Sequence, residues 1–169
     1  PSRLATSVRC TSRSNSKYFL LLNDFFTPLT KVIFDNNGTI DKYIGDMIMA
    51  FWGAPLENLN HANDAITAGL QMIEAKNQLL IEYKEKGLPE FRVGIGINSG
   101  KMNVGDMGSE YRLSYTVIGD NVNIGSRLES LNKTYGVNIL ISENTYKKQT
   151  QYFCLHLDTI LVKGKQKSI

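Results

Sequence analysis

A hairpin pattern between residues 39 and 52 constrains the fold of this chain more than any other feature of its sequence. Two apolar runs flank Gly45 and Asp46, and Lys42 stands four residues before Asp46. Glycine accepts the positive φ that a two-residue hairpin turn requires, and aspartate is common beside it. The pattern therefore predicts two antiparallel strands with a carboxylate at their tip. Taken alone, these two charges are typical of a solvated turn and a surface lysine.

The remaining sequence predicts helices and strands that alternate around this hairpin. Apolar residues recur at helical spacing in some segments and at every second position in others, with glycine or proline between them. This order predicts an α+β fold, with a ferredoxin-like β-α-β-β-α-β core and antiparallel additions. Residues 105–110 are predicted as a flexible loop. Helices are predicted over residues 18–37, 58–86, 119–136 and 142–148, and strands over residues 39–52, 91–98, 101–104, 111–118, 137–141, 152–157 and 159–162.

Glycines alternate with branched apolar residues in the strand predicted over residues 91–98. Gly94 and Gly96 lie on one face, and Val93, Ile95 and Ile97 lie on the other. Small residues along one face of a strand predict that another element packs very close to it. These glycines fall inside the strand instead of at a turn into a helix, which excludes a Rossmann fingerprint.

Length and composition indicate one domain. A chain of 169 residues with 42% hydrophobic residues can bury a single core. Residues 1–17 form an atypical N-terminal segment, either a degenerate first strand or disordered, because they are rich in Ser, Thr and Arg. We expect residues 18–169 to be the folded domain. No apolar run reaches the length of a membrane span, which predicts a cytoplasmic domain.

The charges and the metal-ligating residue types exclude other classes of protein. The net charge of +3 is concentrated at the two ends of the chain. A nucleic-acid partner is not expected, because such proteins carry a basic face through the fold. An RNA-binding sheet is disfavoured as well, since the strand over residues 91–98 offers only Arg92 and glycines beside its apolar residues. The two cysteines lie far apart, and neither histidine has a partner at metal-ligand spacing, which predicts no zinc site and no disulfide scaffold.

Three separated segments resemble the catalytic domains of the class III nucleotidyl cyclases, the adenylyl and guanylyl cyclases. The first is the Lys-x-x-Gly-Asp hairpin of residues 42–46, followed by Met-Ala-Phe-x-Gly-Ala-Pro. The second runs over residues 115–129, and the third is Val-Lys-Gly-Lys at residues 162–165. The resemblance covers residues 20–165, and the joint occurrence of the three segments in this order makes it specific.

The resemblance implies a role for individual residues of this chain. Lysine with threonine at the purine-contacting positions resembles the adenine-selecting version, because guanylyl cyclases usually present glutamate at the lysine position. The implied site comprises Asp46 as a metal ligand, Lys42 and Thr116 at the purine edge, Asn123 at the ribose, Arg127 at the α-phosphate, Lys163 at the terminal phosphates and Arg112 as a further phosphate ligand.

The resemblance also implies an activity, cofactors and partners. The expected reaction converts ATP to 3′,5′-cyclic AMP and pyrophosphate, with two Mg²⁺ (or Mn²⁺) ions per site lowering the pKa of the attacking hydroxyl and neutralising the leaving group. The family implies a homodimer with shared active sites and an upstream sensory or regulatory domain. The chain would then be cytoplasmic, or the cytoplasmic part of a larger membrane-anchored protein.

The sequence departs from the family at the first strand, where Ser7 occupies the position of the family's other metal-binding aspartate. A serine cannot replace a carboxylate that bridges two divalent ions. Three explanations stay open: a degenerate subunit, a different chain that supplies the carboxylate, or altered sequence over residues 1–17. The alternatives to an adenylate cyclase are therefore a catalytically impaired nucleotide-binding or dimerisation module and a guanylate cyclase.

Overall fold

A sheet with the predicted hairpin at one edge forms the centre of the computed structural model, which describes residues 3–11 and 18–160. Apolar residues at strand and helix spacing set the elements, and glycine ends several of them. The elements in chain order are β1 (Arg3–Thr11), α1 (Tyr18–Asp35), β2 (Thr39–Ile44), β3 (Met47–Trp52), α2 (His61–Glu85), β4 (Arg92–Gly100), β5 (Asn103–Ser109), β6 (Arg112–Ile118), α3 (Asp120–Tyr135), β7 (Ile139–Ile141) and α4 (Glu143–Tyr146).

The strand order confirms the predicted fold class. Five strands pair in the order β2-β3-β1-β4-β7, and the first four are the β-α-β-β-α-β core. All neighbours are antiparallel except β4 and β7, which are parallel. β5 and β6 form a separate two-stranded antiparallel ribbon, which is one of the predicted antiparallel additions.

Strand β1 lies in the middle of the five-stranded sheet. Its backbone pairs with β3 on one side and with β4 on the other. Ser7 stands opposite Met49 of β3 and Gly96 of β4. The segment with the least typical composition of the chain therefore supplies its most central strand.

Helices α1 and α2 cover one face of this sheet. Phe25, Leu29 and Ile33, spaced at one helical turn in α1, are buried in the same core as Ile95 and Ile97 of β4. A proline inside a helical pattern predicts either a kink or a change to a second helix, and the structure has one helix on both sides of Pro28.

Helix α3 covers the opposite face, and it packs backbone against backbone. A methyl group added at Gly96 would lie 2.1 Å from the carbonyl oxygen of Gly125 and 2.3 Å from the amide nitrogen of Glu129. Residues that alternate along a strand face opposite sides, so Gly94 and Gly96 meet α3 while Ile95 and Ile97 face α2. The predicted close approach at these glycines is confirmed.

Three predicted segments differ from the structure. Residues 105–109 belong to β5 and are not a loop, because β6 offers them a complete row of backbone partners that glycine can use as well as any residue. Residues 152–157 form no strand; none of the described strands pairs with them, and Phe153 and Leu155 are exposed. Of the strand predicted over residues 159–162, Thr159 and Ile160 have no regular structure and the rest lies outside the described residues.

Within the described part of the chain, no helix is both long and apolar enough to cross a membrane.

Candidate active site

The hairpin tip and strand β6 bring two of the predicted site residues together. Gly45 adopts a φ of 60°, the positive value that a tight hairpin turn requires, and the chain passes through this turn directly from β2 into β3. The Nζ atom of Lys42 in β2 donates a hydrogen bond of 3.1 Å to Oγ1 of Thr116 in β6. Thr116 is buried, whereas the Lys42 side chain is half exposed. We call Lys42 and Thr116 the purine pair, after their implied role.

The N-terminus of α3 is anchored to the end of β4 by side-chain amides. Asn98, fully buried in β4, donates from Nδ2 to the backbone oxygen of Asn121 at 2.8 Å. Asn121 in turn donates from Nδ2 to the backbone oxygen of Lys101 at 3.0 Å. These bonds fix the first turn of α3, and Asn123 and Arg127 follow on one face because they are four residues apart.

Arg127 has an unsatisfied donor. Its Nη1 atom is buried and has no hydrogen-bond partner among the residues that the structure describes. A guanidinium group carries five N–H donors in a planar fork that matches carboxylate and phosphate oxygens. A buried donor without a partner is costly, so this position favours an anionic ligand.

A cleft of about 560 Å³ opens between β1, the hairpin tip and the start of α3. This volume is within the range of small-molecule sites, about 300–1,000 Å³. Asn123 lines the cleft, but Lys42, Thr116 and Arg127 do not. The cleft is lined by Ala5, Thr6, Ile44, Met47, Met49, Val117, Ile118, Gly119, Asp120, Val122, Asn123 and Ser126.

Two other predicted residues do not join this group within the described structure. Arg112 begins β6, pairs with Ser109 and is exposed. It is four residues from Thr116, about 13 Å along an extended strand. Lys163 lies outside the described residues, together with the whole third segment of the resemblance.

The described residues do not fit a two-metal site. Asp46 occupies the hairpin tip and is half buried. Residues 3–11 and 18–160 contain no group of three or more His, Cys, Asp or Glu side chains that could hold a metal ion. The position that the resemblance assigns to a second carboxylate is Ser7, opposite Met49. The family generally uses divalent metals, but the chain as described offers one of the two expected carboxylates.

Tyr135 and Asp158, two hydrogen-bonded groups with shifted pKa values, meet at the C-terminal end of α3. The Tyr135 hydroxyl donates to Oδ2 of Asp158 at 2.8 Å. This hydrogen bond raises the pKa of Tyr135 and lowers the pKa of Asp158. The contact ties the segment after α4 to the last turn of α3, away from Asn123 and Arg127.

Sequence reasoning missed several residues that hold the site together. Asn98 is the last residue of the strand predicted over residues 91–98, and Asn121 lies in the first turn of the helix predicted over residues 119–136. Asp41 is a charged residue in the otherwise apolar run before Gly45, and the structure leaves its side chain only 1% exposed beside Lys42. A polar residue inside an otherwise apolar strand was the available signal in both β2 and β4.

Comparisons with known proteins agree on one family. A family model for the adenylate and guanylate cyclase catalytic domain matches residues 5–169. Adenylate cyclase 1 of Rhizobium meliloti is 38% identical over 130 residues, covering 77% of this chain and 20% of that protein. The chain spans between a fifth and a third of the length of the curated relatives it matches first.

Solved structures agree with this family. The adenylyl cyclase CyaB from P. aeruginosa superposes with a TM-score of 0.89 at 28% identity, covering 99% of this chain and 90% of that one. The guanylyl cyclase Cya2 superposes with a TM-score of 0.90 at 28% identity, covering 99% and 88%.

Proposed function

This chain belongs to the adenylate and guanylate cyclase catalytic domain family, and from that premise we propose that it binds ATP and converts it to 3′,5′-cyclic AMP and pyrophosphate. In this reaction the ribose 3′ oxygen attacks the α-phosphorus. A new phosphorus–oxygen bond forms, the bond to pyrophosphate breaks, and the hydroxyl proton is released. The observation that carries the choice of ATP is the hydrogen bond from Lys42 to Thr116.

The purine pair favours adenine by its donors and acceptors. The ammonium of Lys42 can only donate hydrogen bonds. Adenine N1 is an acceptor, whereas guanine N1 carries a hydrogen that would face the same ammonium. The hydroxyl of Thr116 can accept a hydrogen bond from the adenine amine while it receives one from Lys42. GTP is the alternative substrate, since the family includes both kinds of enzyme.

The ribose and phosphates are assigned to α3 and to the end of the chain. Asn123 would orient the ribose from the wall of the cleft. Arg127 would hold the α-phosphate as negative charge builds on it, and its unpaired Nη1 supports this role. Lys163 would hold the terminal phosphates, and Arg112 would be a further phosphate ligand, as the resemblance implies.

We further propose a homodimer with shared active sites. Within one chain the purine pair lies outside the cleft that Asn123 lines, so a single protomer presents two partial sites. Apolar side chains are exposed along β6 and the hairpin tip: Leu113 is 64% exposed, Ile44 48% and Ile118 45%. An exposed apolar patch of this kind is typical of an interface, and two-fold pairing is the commonest arrangement.

The cofactor and the cellular setting are proposed on the family alone. We expect Mg²⁺ or Mn²⁺ to accompany ATP, with Asp46 as the ligand that this chain supplies. The arrangement with two ions stays a prediction, because its second carboxylate is missing at Ser7. A cytoplasmic location is proposed from the family, and an upstream sensory or regulatory domain is proposed because the relatives are much longer than this chain.

A catalytically impaired module is the second candidate function. It is favoured by one observation, the serine at position 7 of the central strand, because it leaves Asp46 without its expected partner. Such a chain would bind nucleotide without turnover and would regulate a partner.

The deciding experiment measures cyclic nucleotide production by the purified chain and by Ser7→Asp. ATP and GTP are supplied separately, each in Mg²⁺ and in Mn²⁺. We expect cyclic AMP from Ser7→Asp, and a rate for the unmodified chain that is lower by at least tenfold. ATP binding without product in both proteins would support the impaired module, and a preference for GTP would contradict the adenine assignment.

Arg127→Ala separates a catalytic arginine from an ordinary surface one. Arg127→Ala is made in the unmodified chain or in Ser7→Asp, whichever produces cyclic nucleotide. We expect it to lower kcat by about 10²–10³-fold, the effect of removing one preorganised donor to a developing charge. Arg92→Ala is the matched control, because Arg92 is exposed at the start of β4. Equal rates for the two variants would refute the role of Arg127.

A further inference from the structure

An irregularity in β2 places two charged side chains next to each other. Ile40 pairs with Ala50 and Lys42 pairs with Met49, so Asp41 is an extra residue without a partner in β3. Neighbouring side chains of a regular strand point to opposite faces, but a bulge breaks this alternation and redirects a side chain. Here it allows the Asp41 carboxylate and the Lys42 ammonium to come within 3.6 Å.

The Asp41 carboxylate depends on this neighbour. Its side chain is 1% exposed, and neither carboxylate oxygen has a hydrogen-bond partner among residues 3–11 and 18–160. A charge that has lost its water must be compensated by an opposite charge nearby. The ammonium of Lys42 is the compensating group that the structure provides.

Lys42 therefore lies between two groups. Its Nζ atom donates to Oγ1 of Thr116 at 3.1 Å and pairs with Asp41 at 3.6 Å. Its side chain is 47% exposed, so without these contacts a four-carbon stem would sample many rotamers. The ammonium has three N–H donors and the hydrogen bond to Thr116 uses one of them, so donors remain for a ligand.

We propose that Asp41 is a positioning residue for base selection: it holds the Lys42 ammonium beside Thr116 and requires a cation at position 42. The proposal rests on the proposed function, in which Lys42 and Thr116 contact the purine. It adds Asp41 to the residues of that site. It also restricts substitution at position 42, which must carry a cation as long as Asp41 is a carboxylate. A glutamate at position 42, as guanylyl cyclases usually have, would stand against a second buried carboxylate.

This restriction predicts that replacing both residues of the purine pair with those of a guanylyl cyclase is not sufficient to change base preference. Lys42→Glu with Thr116→Cys would place like charges about 4 Å apart in a poorly solvated position, and the new glutamate would be pushed away from the base. Adding Asp41→Asn removes that repulsion while keeping the shape of the side chain. Base preference therefore depends on three positions instead of two.

The test measures equilibrium binding by the whole purified chain, so it does not depend on turnover. The probes are 3′-deoxy-ATP and 3′-deoxy-GTP, which lack the attacking hydroxyl, and inorganic tripolyphosphate, which lacks a base. We expect Asp41→Asn to lower the affinity for 3′-deoxy-ATP about tenfold, which is the loss typical of one charge-assisted contact. Tripolyphosphate binding should stay within twofold, whereas a merely structural role would weaken both.

The matched control is Asp35→Asn. Asp35 is also a carboxylate paired with a lysine, Lys31, but the pair is exposed on α1. It should leave the affinities for all three probes within twofold. The exchanged protein, Lys42→Glu with Thr116→Cys, should bind both nucleotides poorly. Adding Asp41→Asn to it should raise the affinity for 3′-deoxy-GTP at least tenfold.

Failure of this inference is distinguishable from failure of the proposed function. If Lys42→Ala changes base preference but Asp41→Asn does not, the positioning role of Asp41 is overturned and the purine pair stands. The role is also overturned if the exchanged protein already prefers 3′-deoxy-GTP and Asp41→Asn adds nothing. If Lys42→Ala leaves base preference unchanged, or the unmodified chain binds neither nucleotide, both proposals fail.

Discussion

Replacing Gly96 with alanine tests whether the close packing of α3 on the sheet positions Asn123 and Arg127, the residues of that helix proposed to bind the ribose and the α-phosphate. The added methyl carbon would lie 2.1 Å from the carbonyl oxygen of Gly125, 2.3 Å from the amide nitrogen of Glu129 and 3.0 Å from its Cα. All three atoms belong to the backbone, so no side chain can rotate away. The helix and the strand must separate by about 1.3 Å before the contacts become ordinary, because the shortest must lengthen from 2.1 Å to 3.4 Å.

This separation sets the expected cost. Inserting one methyl group into a well-packed interior costs about 1–3 kcal/mol, and a clash with backbone on both sides belongs at the upper end. We expect Gly96→Ala to lower the free energy of unfolding by about 3 kcal/mol, or Tm by about 6–12 °C for a chain of this size. A displacement of more than about 1 Å in a helix that carries Asn123 and Arg127 should also lower kcat about 10²-fold.

The assay is urea unfolding followed by circular dichroism, with Gly105→Ala as the matched control. Gly105 also lies in a strand, but a methyl group there would meet nothing within 4 Å. Both variants make the same chemical change, so their difference isolates the clash. Unfolding free energies within about 0.5 kcal/mol of each other would refute the packing argument.

Three further predictions follow, two from contacts described above and one from the burial of Trp52 in the core. Lys42→Ala leaves the Asp41 carboxylate buried and unpaired, so it should cost about 1–3 kcal/mol in urea unfolding, whereas a loss below about 0.5 kcal/mol would contradict the dependence of Asp41 on Lys42. The lowered pKa of Asp158 means that its bond to Tyr135 stabilises the fold at neutral pH and is lost as pH falls through that lowered pKa; the protection factors of residues 155–160 in hydrogen exchange should therefore fall in acid, and Tyr135→Phe should remove this dependence. Trp52 is the only tryptophan and is fully buried, so its fluorescence should be blue-shifted in the folded chain and shift red in one transition with the circular dichroism signal; a red-shifted native spectrum would contradict its burial.

Features with a local physical cause could be predicted from the sequence. The turn at Gly45 and the glycine face of β4 each depend on what one residue type permits, either a positive φ or the absence of a side chain. The β-α-β-β-α-β order also followed from periodicity, because each element buries one face. The site residues were assigned by resemblance, and the structure brings Lys42 and Thr116 within hydrogen-bonding distance.

Features that depend on a distant partner could not be predicted in this way. Residues 105–109 are glycine-containing and polar, and they are a strand only because β6 lies alongside. The bulge at Asp41 is a mismatch of register between β2 and β3, which no property of Asp41 alone reveals. Phe153 and Leu155 alternate like a buried strand, yet no described strand accepts them. Each of these outcomes depends on which strands lie beside the segment.

The central position of β1 also determines the order in which the chain can fold. The β2–β3 hairpin can pair as soon as it is made, but β1 needs β3 about 40 residues later and β4 about 90 residues later. At synthesis rates of about 5–20 residues per second, β1 waits roughly 5 to 20 seconds for β4. Contacts so distant in sequence give a high contact order and slow closure of the sheet. The strand that joins the two halves of the sheet is thus the one that the nascent chain exposes longest, and the one for which a chaperone has most time to compete.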